Sequence, residues 1–364
     1  RALTQGKRVG PLHGVPFALK DIIDAKDVPT TAHSKILAGN VAVRDSTVAA
    51  RLKAAGGVLL GKLATHEFAL GGPCFDLPWP PARNPWDVTR MPGGSSSGSG
   101  VAVAAGLVPL ALGSDTAGSV RNPATACAIV GMKPTYGRVS RHGVVPLAYS
   151  LDTLGPMTRS VAENAAALAL ISGHDSLDPS SLREPTADFA AQLNDGVDGL
   201  RVGYIRHFHT RDMTADEEVA SSLDAAAEKL SDLGAEVVEI ETRPLQEFAS
   251  CNRIVLLSEA FSVHEHWLKT QPQDYADLTR NRLFVGAFFH AADYIRANRM
   301  RRQLTDNINA LFDDVDIIIC ASSFDPPCQI DDTNEIARTY ARQARAPFNV
   351  TGQPALALPC GEDC

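Results

Sequence analysis

The chain has no unbroken apolar run of the roughly 18 residues that a membrane-spanning helix needs. Its longest candidates, such as Val101–Leu112, stop well short. Positive charge is in deficit: 34 Lys and Arg against 42 Asp and Glu give a formal net charge of −8. No basic stripe offsets that balance, which argues against nucleic acid as a main partner. Cysteine pairs at CxxC spacing are missing. The seven cysteines (Cys74, Cys127, Cys251, Cys320, Cys328, Cys360 and Cys364) are odd in number and scattered, as expected of reduced thiols in a cytoplasm rather than a disulfide framework or a zinc site. Two histidine pairs, His207/His209 and His264/His266, have i,i+2 spacing, which shares a face only in a strand, and no third ligand accompanies either. No metal and no cofactor are therefore expected. There is no secretory pattern at the start, but Arg1 is not an initiator residue, so preceding residues and a targeting segment stay open. No internal repeat is visible.

What is present is organised by helix–strand alternation. Ser46–Ala55 reads as a helix capped by Asp45 or Ser46, with Val48, Leu52 and Ala55 on one face and Gly56-Gly57 at its end. Gly57–Leu63 follows as a buried strand. Ser160–Ser172 and Thr214–Leu233 read as helices opened by capping boxes, Ser160 with Glu163 and Thr214 with Glu217. Arg201–Ile205, Glu236–Glu241, Asp316–Cys320 and Pro354–Pro359 read as strands. Pro244–Leu268 and Val285–Phe312 read as mainly helical, their aromatics assigned to packing in preference to a lid. The pattern is α/β, in one large domain or two medium ones.

Two stretches follow no period: Met91–Gly100, MPGGSSSGSG, and Leu112–Arg121, LGSDTAGSVR. A Gly/Ser linker should separate folded units, yet the first stretch runs straight into the apolar Val101–Leu112. A polar loop pinned against buried chain brings backbone N–H groups and hydroxyls to a ligand. Ser119 sits in such a turn, as a nucleophile beside preorganised donors would. It has no G-x-S-x-G elbow, and no GK[ST] follows the Gly/Ser loop, which removes the phosphate-cradle reading. The base stays open between one of ten histidines and a lysine kept neutral by desolvation. Lys20 ends the apolar part of the run Gly14–Asp24, GVPFALKDIID; residue type alone favours a surface charge there.

GVPFALKD, PGGSSSGSG and GSDTAGSVR, in this order and spacing, resemble the motifs of the amidase signature family. The resemblance extends over MKPTYGRVS, LDTLGPMTRSV and FNVTGQPALALPCG and so covers most of the chain. It implies a single large α/β domain whose mixed central sheet is covered by helices on both faces. The family core would span about 14–175, a variable helical region about 176–315, and a sheet return 316–364, with further elements beyond both ends. It implies a Ser–cis-Ser–Lys triad: Ser119 attacks, Ser95 relays protons after a cis Gly94–Ser95 bond, and a buried Lys20 is the base. The backbone N–H groups of Thr116, Ala117, Gly118 and Ser119 would form the oxyanion hole. Asp115 and Arg121 are read as bracing the loop in preference to touching substrate. Ala117 and Ser97 stand where the family often has Gly, so the turn must tolerate a Cβ.

The activity implied first is hydrolysis of a C–N amide bond, with esters and carbamates as further substrates, on a small or aryl-containing molecule through acyl-Ser119. The second is that of the glutamine-hydrolysing A subunit of a tRNA-dependent amidotransferase. The expected partners are a small-molecule amide and a second copy of the chain, with no nucleic acid and no membrane, in the cytoplasm. The substrate pocket is expected from Phe68–Phe75, Val255–Phe289 and Ser322–Gln329.

Overall fold

The computed structural model describes residues 3–5 and 9–361. In chain order the strands are β1 (Pro16–Lys20), β2 (Val58–Leu63), β3 (Leu110–Asp115), β4 (Val130–Lys133), β5 (Thr153–Thr158), β6 (Arg201–Tyr204), β7 (Glu236–Glu239), β8 (Ile317–Ile319) and β9 (Ala355–Ala357). The helices are α1 (Thr47–Ala54), α2 (Ser97–Ala104), α3 (Arg121–Ala126), α4 (Val161–Ile171), α5 (Glu217–Asp232), α6 (Leu245–Thr270), α7 (Asp277–Val285), α8 (Ala291–Leu311), α9 (Thr333–Thr339) and α10 (Ala346–Thr351). The larger sheet runs β2-β1-β3-β5-β4-β9 and the smaller β7-β6-β8. β1 is parallel to both β2 and β3, whereas β3–β5, β5–β4 and β4–β9 are antiparallel. The sheet is therefore mixed, as expected.

Strand alternation sorts the side chains of this sheet between two cores. Phe17, Leu19, Leu110, Leu112 and Leu154 join a cluster with Val48 and Leu52 of α1, Leu168 and Ile171 of α4, and Phe248 and Val255 of α6. Ala18, Ala111 and Met157 join a second cluster with Ala102 and Val103 of α2 and Val120 and Ala124 at α3. Helices thus cover both faces. Small residues on the second face let α2 come close: a Cβ at Gly113 would lie only 2.8 Å from Ser96 Oγ. Lys20 continues the alternation of Ala18, which aims it at the chain entering α2.

Local signals hold where tertiary bonds do not compete. Ser160 and Glu163 form the reciprocal capping box, and Ser46 accepts from Ala49 N–H at α1. The Thr214/Glu217 box does not form. Asp216 caps α5 instead, accepting from Glu218 N–H, because Ala215 N–H donates to His209 O and Asp216 N–H to Phe324 O, holding that segment outside the helix. Val285–Phe312 is broken by a 3-10 turn at Gly286–Phe288 before α8 begins. The Gly/Ser stretch is itself buried and turns helical at Ser97. Cys74, Cys127, Cys251, Cys320 and Cys328 are thiols, and Cys364 lies outside the described residues. Among the described residues no helix is long and apolar enough to cross a membrane.

Candidate active site

Parallel pairing of β1 and β3 brings Lys20 and Ser114-Asp115 to one end of the sheet. The Gly/Ser stretch is tied to β3 there. Ser96 Oγ donates to Ser114 O (3.1 Å) and accepts from Ser114 N–H (3.2 Å), and Ser99 Oγ donates to Leu112 O (3.0 Å). The Gly94–Ser95 peptide is cis. Ser95 O accepts from His66 N–H (3.1 Å), and Ser96 N–H donates to Ser119 O (3.2 Å), so both loops are locked edge to edge. Lys20, fully buried, donates from Nζ to Ser95 Oγ (2.7 Å) and to Ser114 Oγ (2.8 Å). Among the described residues no hydrogen bond joins the Ser119 and Ser95 hydroxyls.

Burial pushes the Lys20 amine down from its ordinary value to about 7, against the opposing pull of Asp152 and Asp115. The composition-based reading of Lys20 as a surface charge is therefore corrected: the strand alternation buries it. Asp152 is held by Thr116 Oγ1 (2.6 Å) and by the N–H groups of Leu147 and Ala148 (2.9 and 3.0 Å).

The Ser119 turn is built on Asp115. Its carboxylate accepts from Gly118 N–H (2.7 Å), Val120 N–H (3.2 Å), Arg121 Nε and Nη2 (both 3.0 Å) and Asn349 Nδ2 (2.9 Å). Arg121 spends the rest of its fork on Asn349 Oδ1 (2.7 Å) and Arg345 O (2.9 Å). Burial by itself would raise the Asp115 carboxyl, but the Arg121 charge and hydrogen bonds outweigh it and hold the group below the usual carboxylate range. Gly118 takes φ +115, the left-handed side that favours glycine, while Ala117 has no positive φ and so accommodates its Cβ. Asp115 thus takes the Gly118 amide, one of the four that the resemblance implied for the oxyanion hole.

An amidase family model matches residues 1–363. The chain belongs to the amidase signature family. As a member it is a hydrolase acting on carbon–nitrogen bonds through serine chemistry. It is 38% identical to the A subunit of glutamyl-tRNA(Gln) amidotransferase from Moorella thermoacetica, over 99% of this chain and 79% of that one. The corresponding protein of Macrococcus caseolyticus is also 38% identical, over 97% and 78%. Among solved structures, one from a vestigial protein complex that reveals the origins of an s-triazine catabolic enzyme superposes with TM-score 0.91 at 36% identity, covering 99% of this chain and 80% of that one. The A subunit of the Thermotoga maritima amidotransferase superposes with TM-score 0.86 at 35% identity, over 98% and 78%.

Several residues around this hydrolase's site were not singled out from the sequence, although Ser114, Asp152, Lys133 and Asn349 lie within the motifs quoted for the resemblance. Ser114 and Asp152 reach Lys20 only through the sheet, and Asn349 arrives from α10. His66 packs on Gly94, where a Cβ would lie 2.0 Å from its ring. Lys133 of the MKPTYG motif is fully buried, donates to Pro134 O (2.9 Å), and is pushed down to about 7 by burial and the Arg121 charge. Phe68, expected in the pocket, is committed to packing against His264, Trp267 and Tyr275. A cavity of about 630 Å³ opens beside Ser114 and Asp152, with Glu259 and Tyr294 on its wall; Ser119 does not line it. Of the two histidine pairs, His207 contacts Asp212, His209 contacts Tyr204 and His264 contacts Tyr275, while His266 is exposed. Among the described residues no group of three His, Cys, Asp or Glu could hold a metal ion.

Proposed function

We propose that this hydrolase cleaves a carboxamide through an acyl-Ser119 intermediate, with Lys20 as base and Ser95 as relay. The observation that carries the reading is the buried 2.7 Å contact between Lys20 Nζ and Ser95 Oγ, beside the Ser119 turn. A neutral amine has two N–H groups and a lone pair, so it can keep Ser114 and accept the Ser95 proton. Ser95 then takes the proton of Ser119 as the substrate carbonyl is attacked. The Ser119 oxygen bonds to the carbonyl carbon, and the oxyanion is met by the amides of Thr116, Ala117 and Ser119, each worth about 3 kcal/mol of barrier. As the C–N bond breaks, the proton on Lys20 returns through Ser95 to the leaving nitrogen. Water, deprotonated by the same relay, cleaves the ester and frees Ser119.

Glutamine, releasing ammonia, is the substrate we favour. Curated relatives at 34–38% identity are A subunits of glutamyl-tRNA(Gln) amidotransferases, which reverses the order in which the motifs alone ranked the two activities. A free-standing amidase for a small or aryl amide is the second reading. Its support is the likeness to a peptide amidase of Stenotrophomonas maltophilia, 31% identical with TM-score 0.84 over 99% of this chain and 79% of that one. Ammonia release from glutamine, measured beside aryl-amine release from an anilide, separates the two. The favoured reading expects the former to dominate and to vanish in Ser119→Ala; faster anilide cleavage reverses the order.

A further inference from the structure

The segment 64–66, which leaves β2, backs the Gly/Ser loop. Gly98 N–H donates to Ala64 O (2.9 Å) and His66 N–H to Ser95 O (3.1 Å). The two chains lie so close that a Cβ at Gly98 would be 2.5 Å from Ala64 N. Beyond them the His66 ring covers Gly94, where a Cβ would fall 2.0 Å from its Cε1 and 2.3 Å from its Nε2. His66 is only 4% exposed. The next residue fixes its placement: the Glu67 carboxylate accepts from Ser34 Oγ (2.6 Å) and from Ala276 N–H (3.0 Å), just ahead of α7. The ring's Nδ1 is buried and has no partner among the described residues. A cavity of about 10 Å³, bounded in part by His33, Thr65, His66 and Ser97, has room for one water beside it. Burial, together with the Lys20, Arg282 and His33 charges, pushes the imidazole down to about 3, so the ring is neutral at working pH.

A neutral ring in that place acts by its shape, and it stands on the step whose hydroxyl meets Lys20 Nζ at 2.7 Å. We propose that His66 is a positioning residue of the relay, whose ring walls the Gly94–Ser95 step, holds the Ser95 hydroxyl on Lys20 and keeps water from that pair. This rests on the reading of Lys20 and Ser95 as base and relay. The charges that face Lys20 come from other elements. Asp152, ahead of β5, and Asp115 of β3 both favour its protonated form. Asp115 is paired with Arg121 (3.0 Å) and lies near Lys133, while the adjoining Asp21 is paired with Lys62 of β2 (2.9 Å). A neutral His66 adds no charge to this set, so removing it leaves the Coulomb balance at Lys20 as it was. What changes is access of water, which stabilises the ammonium form.

The test follows two quantities against pH in the native chain, His66→Ala and His66→Phe. One is the Cε resonance of Lys20, assigned by its loss in Lys20→Met; the other is the rate at which phenylmethanesulfonyl fluoride labels Ser119. In the native chain both should change through about 7. His66→Ala should move both upward by about one pH unit or more, slowing labelling about fivefold or more at pH 7, with part of that loss recovered at about pH 9.5. His66→Phe, which refills the space, should keep both near their native positions; His66→Leu takes its place if circular dichroism shows that phenylalanine disturbs the fold. A Lys20 resonance that titrates in His66→Ala as in the native chain overturns the inference, whatever happens to Tm. So does a folded His66→Phe chain that titrates like His66→Ala. A resonance that moves in His66→Ala while labelling of Ser119 is independent of Lys20 upholds the wall and sinks the relay.

Discussion

Lys20 closes a strand whose other inward residues are apolar, and the groups that meet its amine are two hydroxyls. Burial therefore disfavours its charged form, with the amine brought to about 7 from an ordinary 10.5. Two pH dependences follow from that sign. Activity should rise as pH passes through about 7 and the amine becomes a base; Lys20→Ala should remove this limb and lower kcat on the order of a thousandfold. Stability moves the same way. Between about 7 and 10.5 the unfolded chain holds the proton that the folded chain has lost, so the native chain should gain stability relative to Lys20→Met across that window, as urea unfolding would read. Ser114→Ala removes one of the two hydroxyls and should cost about tenfold in kcat, in line with a hydrogen bond to a charged group at about 1.5 kcal/mol. Lys20, Ser95 and Ser119 were legible in the chain because short motifs at fixed separations carry them. Ser114 and Asp152 lie inside quoted motifs, but nothing in the chain showed that they face Lys20; His66 and Arg345 come from separate segments that only packing brings together.

At the scale of elements, the Ser119 turn depends on a buried ion pair more than on its own sequence. Arg121 and Asp115 are both nearly inaccessible, and Asn349 of α10 holds each of them. Arg121→Leu leaves Asp115 buried and uncompensated and should cost about 3–5 kcal/mol, seen as a large drop in Tm. Gly118→Ala asks alanine to take φ +115 against the Arg345 side chain, so it should lower both stability and turnover. The same contrast governs what the chain reveals about its helices. The α4 start was readable since Ser160 and Glu163 need only each other. The α5 start was not, because His209 and Phe324 claim the amides that precede it.

Across the whole molecule, one mixed sheet with a core on each face carries the site at the end of β1 and β3, while the smaller parallel sheet stands apart from it. The α/β class was visible from helix–strand alternation; the strand order was not, because register depends on partners far along the chain. A net charge of −8 gives the surface no general attraction for RNA, so the purified chain alone should not retain tRNA at physiological salt. The central claim is that Lys20, through Ser95, activates Ser119. Labelling the folded chain with a sulfonyl fluoride and mapping the adduct by peptide mass spectrometry tests it most directly. The expected result is an adduct on Ser119 that disappears in Ser119→Ala and forms far more slowly in Lys20→Ala. Labelling at another residue, or labelling of Ser119 at an unchanged rate without Lys20, would contradict it.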